Sequence, residues 1–145
     1  MKKVVIDTSV LISALIGKQG PSREIIKACL KQELTPLISN ALFLEYEDVS
    51  ARPKVNELCP LPSYEIRELL NAFYSRCQWI SVSYLWRPNL SDEGDNFLIE
   101  LAVAGQARVI LTNNLRDLHN AELKFDDLSI MSPEQFLQEE DVWQH

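Results

Sequence analysis

Histidine is scarce in this 145-residue sequence, which has only His119 and the terminal His145, and neither a GxGxxG nor a lysine-bearing Walker loop occurs. The first deficit leaves a Ser-His-Asp triad or a histidine-built zinc site short of material. The second removes the usual phosphate cradles of dinucleotide and nucleotide-triphosphate enzymes. Cysteine is thin as well: Cys29, Cys59 and Cys77 are odd in number with no CxxC pair, so no disulfide framework or thiolate zinc site is suggested, and a reducing compartment is expected. Four glycines and seven prolines exclude collagen-like and low-complexity chains. Positive charge is in deficit, with 14 Lys and Arg against 21 Asp and Glu and a net charge of -7. That balance argues against gripping duplex nucleic acid through a basic surface, while leaving nucleic acid open as a substrate. No apolar run approaches the roughly 20 residues of a membrane helix. The opening MKKVVIDTSVLISALIG imitates a secretion signal, but Asp7, Thr8, Ser9 and Ser13 interrupt its apolar part, so a cytoplasmic protein with no membrane partner is expected.

What remains is an ordinary folded composition, 46% hydrophobic and 24% charged, at a length that suits a single domain over residues 1–145. Val4-Val5-Ile6 reads as a buried strand whose carboxyl end delivers Asp7 to a helix starting near Val10. Gly20-Pro21 breaks the chain and Ser22 is placed to cap a second helix. Pro36 to Ser39 suggests another strand, and Ser39 or Asn40 a cap for a helix from Ala41 to about Ala51, stopped by Arg52-Pro53. Ile66, Leu69, Leu70, Phe73 and Cys77 follow a helical period from Ser63, and Trp79 to Val82 suggests a strand. A helix is expected from Ser91 to Ala104, ended by Gly105; a strand follows over Arg108 to Thr112. Ser132-Pro133-Glu134-Gln135 has capping-box order and opens a last helix. Leu11, Leu15, Ile66, Phe73 and Trp79 are expected in the core, with Tyr64, Tyr74 and Trp86 as further candidates for base stacking or a dimer face. Strands alternating with helices predict an α/β fold, a central parallel sheet covered on both faces. Sites in such folds lie beyond the carboxyl ends of the strands, here at Asp7 and after Thr112.

Four acids attract attention by position. Asp7 follows the first strand, although Asp is also a favoured N-cap. Glu45 shares a stripe with Leu42 and Val49, and Asp95 with Leu98 and Ala102, so both point away from a fully solvated face. Asp117 follows the last strand in TNNLRDL. Glu47, Asp48, Asp92 and Glu93 lie close enough in sequence to substitute for their neighbours. Carboxylates gathered at one end of a sheet repel by roughly 4 kcal/mol for a pair 4 Å apart at an effective dielectric near 20. Raised pKa values or a hard divalent cation with oxygen ligands would offset that repulsion, and Mg2+ or Mn2+ suits water activation at a phosphoryl group. A receiver-like phosphoacceptor domain lacks its later Asp and Lys here, and a haloacid-dehalogenase-like phosphatase would need Asp where Ser9 stands.

In this order VVIDTSVLISAL, SNALFLEYEDVSARPKV and DEGDNFLIELAVAGQARVILTNNLRDL resemble the PIN-domain family, in its branch of prokaryotic toxin-antitoxin toxins, the VapC-like ribonucleases. The resemblance covers nearly the whole chain. It implies a three-layer α/β/α sandwich and a cytoplasmic endoribonuclease dependent on one or two Mg2+ or Mn2+ ions. By motif it assigns the catalytic and metal-binding acids to Asp7, Glu45, Asp95 and Asp117. Ser9, Thr112, Asn114 and Arg116 become contacts to water or substrate. Ser9 stands where the family often has Asn, and Gly94 interrupts an acidic string. RNA, a small antitoxin protein and a second copy of the chain are the implied partners. The alternative is a non-catalytic PIN-like module that binds RNA or protein. Lys2, Lys3, Lys18, Arg23, Lys27 and Lys31 concentrate basic charge in the first 31 residues, where it would guide phosphates or simply face solvent.

Overall fold

A computed structural model describes residues 2–17, 20–82, 93–115 and 127–143, with only the backbone described for 93–96 and 140–143. The elements run β1 (Lys2–Ile6), α1 (Thr8–Ile16), α2 (Pro21–Leu30), β2 (Leu34–Ile38), α3 (Asn40–Ser50), α4 (Pro53–Leu58) and α5 (Ser63–Arg76). They continue with β3 (Gln78–Trp79), α6 (Glu93–Gly105), β4 (Val109–Leu111), β5 (Ser129–Met131) and α7 (Pro133–Trp143). The five strands form one sheet in the order β3-β2-β1-β4-β5, every pairing parallel. This is the expected three-layer α/β/α arrangement. Parallel neighbours require crossovers, and right-handed crossovers send α6 to the face opposite α1, α2 and α5, because the chain reverses its direction across the sheet after β3. Accordingly α1, α2, α5 and α7 pack in a connected group, while α6 packs on β1, β2 and β4.

Val4, Val5, Ile6, Leu37, Ile38, Ile110 and Leu111 are fully buried, as central strands covered on both faces must be. Leu11, Leu15, Ile66 and Phe73 join them, whereas Trp79, expected in the core, is 52% exposed. It sits on the two-residue edge strand β3, where its ring meets Phe43 at 5.4 Å instead of entering the sheet interface. Ser22 is buried and does not cap α2; Gly20 at φ 135 precedes Pro21, which takes the first helical position. Pro62, not Ser63, is the N-cap of α5. Ser39 Oγ does cap α3, accepting from Leu42 N at 3.2 Å. The capping box of α7 closes in both directions, Gln135 N to Ser132 Oγ at 3.1 Å and Ser132 N to Gln135 Oε1 at 3.0 Å. Pro53, expected only to stop α3, also begins the short α4, because the extended Arg52 before it leaves Pro at N1. Strand β5 is not among the strands the sequence suggests, being only three residues long. Ser91 and Trp86 lie outside the described residues.

Candidate functional site

The strand order reverses about β1, whose neighbours β2 and β4 come from opposite directions of chain growth. A parallel sheet opens a crevice at such a point, beyond the carboxyl ends of its strands. Asp7 directly follows β1 and Thr112 directly follows β4. Thr112 is fully buried, and its Oγ1 donates to Asp7 Oδ2 at 2.6 Å. Ser9 Oγ donates to the same oxygen at 3.0 Å. Asp7 occupies the N-cap position of α1, yet its carboxylate caps nothing. The simple structural explanation for an Asp there is thus removed: its side chain is turned to two hydroxyls, and among the described residues no hydrogen bond is directed at Oδ1.

The loop after β4 is fastened to α1. Asn113 N donates to Ser9 Oγ at 3.1 Å, and Asn113 Nδ2 donates to Ser9 O at 3.3 Å and Ser13 Oγ at 3.2 Å. Asn114 N donates to Thr112 Oγ1 at 2.9 Å, so that hydroxyl both accepts and donates. Ser9 does likewise, which leaves both hydroxyls committed to orienting Asp7. Sequence reasoning singled out Asn114, which lines the groove, and passed over Asn113, which holds the loop. Only the surplus of amide side chains in TNN hinted at the second role.

A groove of about 560 Å³ runs from this point between α1 and α3, with Asp7, Ser9, Ser13, Glu45 and Asn114 supplying polar atoms and Ile12, Ile16 and Val49 an apolar wall. The buried stripe of α3 is Leu42, Tyr46 and Ser50, so Glu45 and Val49 occupy its half-buried flank instead of the core stripe the spacing suggested. The same rotation separates Glu45 from its neighbours. Glu47 turns away to Arg67, which donates through Nη1 and Nη2 at 2.8 and 2.9 Å, and accepts from Tyr74 Oη at 2.6 Å. Asp48 meets Arg52 at the surface at 3.0 Å. Glu45 is therefore the α3 acid that shares a groove with Asp7.

Burial raises the pKa of Glu45, and the Asp7 charge raises it further. Arg52 and Thr8 offset part of the rise; the Thr8 hydroxyl, itself buried, approaches the carboxylate without closing a hydrogen bond. Two acids of like charge, in a groove whose described lining offers oxygen donors, fit a hard divalent cation. Among the described residues no cluster of three or more potential ligands gathers. Asp95 lies in the first turn of α6 with its side chain undescribed, above Leu98 and Ala102, which are buried as expected. Arg116 and Asp117 lie outside the described residues. Among the described residues no helix is long and apolar enough to cross a membrane.

Comparison with known proteins agrees with this architecture. The family description "PIN domain" matches residues 3–116. Uncharacterized protein MJ1680 of Methanocaldococcus jannaschii is 30% identical over 148 aligned residues, covering 94% of this chain and 90% of that protein. Among solved structures, a chain in the crystal structure of VapBC2 from Rickettsia felis, bound to a DNA fragment from their promoter, superposes with a TM-score of 0.59. That match has 18% identity and covers 88% of this chain and 96% of the other, which is a likeness of fold.

Proposed function

The chain belongs to the PIN-domain family, and from that premise we propose that it is a cytoplasmic Mg2+- or Mn2+-dependent endoribonuclease, the toxin of a toxin-antitoxin pair. The observation that carries the reading is the Asp7 carboxylate, withheld from helix capping and aimed by Ser9 and Thr112 into the groove that Glu45 also enters. When bound, one or two such ions supply positive charge at the phosphoryl oxygens and acidify a water.

In this reading Asp7 and Glu45 hold the cation, and Asp95 and Asp117 complete the donor set by their place in the sequence motifs. Ser9 and Thr112 fix the direction in which Asp7 presents its other oxygen. Asn114, on the groove wall, meets the RNA or its water, and Arg116 pairs with a phosphate. The cation compensates for the protein's own shortage of positive charge toward RNA. A small antitoxin protein blocks the groove by placing a basic side chain among the carboxylates.

Cleavage of fluorescence-labelled RNA by the purified protein with Mg2+, with Mn2+ and with EDTA, beside Asp7→Asn, tests the proposal. Cleavage that needs metal and vanishes in the variant supports it. Binding of RNA without metal-dependent turnover would replace it with the non-catalytic module.

A further inference from the structure

The geometry points to Tyr46 as a positioning residue that sets the spacing between Asp7 and Glu45 by tying α3 to the last peptide of β1. Its use to a nuclease rests on the function proposed above; the coupling itself does not. Tyr46 is 1% exposed, and its hydroxyl donates to the carbonyl oxygen of Ile6, forty residues earlier. The same peptide unit carries the Asp7 N–H, which donates to Leu111 O at 2.9 Å. A peptide is planar, and its C=O and N–H point in opposite directions. This one is consequently held from both sides, by α3 through Tyr46 and by β4 through Leu111, and the Cα of Asp7 is fixed at its edge.

Glu45 is the residue before Tyr46, about 100° around the helix at 3.6 residues per turn. Once the Tyr46 ring is directed at the end of β1, Glu45 has to face the groove that begins at Asp7. The ring has little freedom to do otherwise. It meets Phe73 edge-on with centroids 6.0 Å apart and stacks on Tyr74 at 6.4 Å and 15°. One oxygen atom therefore joins the two elements that carry the first two acids.

Tyr46→Phe deletes that oxygen and keeps the ring, while Phe73→Leu loosens the same core without touching Ile6. In metal-free protein, amide hydrogen exchange at Asp7 should quicken about tenfold in Tyr46→Phe relative to Phe73→Leu, the equivalent of one hydrogen bond. Titration with Mn2+, reading the free ion by electron paramagnetic resonance, should show weaker binding in Tyr46→Phe and near-native binding in Phe73→Leu. Unchanged Asp7 exchange in Tyr46→Phe, or equal weakening of Mn2+ by both variants, overturns the assignment. If the unaltered protein takes up no Mn2+, the metal reading falls, and the exchange experiment alone decides whether Tyr46 grips the peptide.

Discussion

Thr112 Oγ1 reaches Asp7 Oδ2 at 2.6 Å across the crevice between β1 and β4, and in turn accepts from the backbone of Asn114. Thr112→Val keeps the shape and removes both bonds, leaving the Asn114 amide without its acceptor. The expected loss is about 1–3 kcal/mol of stability in urea denaturation, with a larger proportional loss of RNA cleavage than of folded fraction. Thr112→Ser, which keeps the hydroxyl, should recover most of the cleavage.

Asp7→Asn separates the site from the fold. The Asp7 side chain makes no cap, and an amide oxygen can still accept from Thr112, so the melting temperature of metal-free protein should barely fall. Cleavage should drop on the order of 10²-fold or more, the scale of losing a charge aimed at the reacting centre. A steep loss of melting temperature with cleavage intact would show that Asp7 serves structure.

Glu45 gives a pH signature. Burial, then Asp7, raises its pKa above the ordinary 4.5, so the folded protein holds this proton more tightly than the unfolded chain. Stability linked to Glu45 is then complete below about pH 4.5 and is lost as pH rises through the raised folded value. Glu45→Gln should raise the melting temperature of metal-free protein at pH 7 and have little effect at pH 4. Thermal melts across that range in EDTA measure it, and Mn2+ should reverse the order at pH 7 by stabilising only the chain that retains the acid.

Glu47 should behave in the opposite sense. Its hydrogen bonds from Arg67, with a smaller share from Tyr74, lower its pKa. The stability it contributes is present above pH 4.5 and disappears as pH falls through the lowered folded value. Glu47→Gln should therefore destabilise at pH 7 and flatten the acid side of the stability curve. Because the pair is partly exposed, 0.3 M salt should remove a good part of the difference.

Gly105 closes α6 against the sheet. A Cβ there would run into Leu37 Cδ1 and stand 3.2 Å from Ile80 Cγ1, and Leu37 is fully buried. Gly105→Ala should cost about 1–3 kcal/mol by overpacking, read as a lower denaturation midpoint with an unchanged slope.

Much of this was legible because the strands are short β-branched runs and the caps are chemically explicit. Val4-Val5-Ile6, Ser39 and the Ser132-to-Gln135 box each announce their own local structure, and the parallel sheet follows from their alternation with helices. Asp7 stood out because a charge directly after a buried strand needs a reason. Tyr46 and Asn113 were silent, since each acts through a partner far along the chain. Glu45 stands one position off the stripe its spacing suggested: the helix rotates so that Tyr46 is buried, and that rotation depends on where β1 ends. Trp79 failed for a related reason, because hydrophobicity does not reveal that a strand lies at the sheet's edge.

Besides the local bond from Ser9, the bonds that hold Asp7 in its direction join residues 105 and 104 positions apart, Asp7 to Thr112 and Ser9 to Asn113. Such long closures form late, after local helices and neighbouring strands have settled. During synthesis Asp7 is made long before β4, and only Ser9 is at hand to orient it until β4 has left the ribosome and taken its place beside β1. A nascent chain that stops short of β4 therefore holds Asp7 without its Thr112 bond, and the groove acquires its order only when β4 is in place.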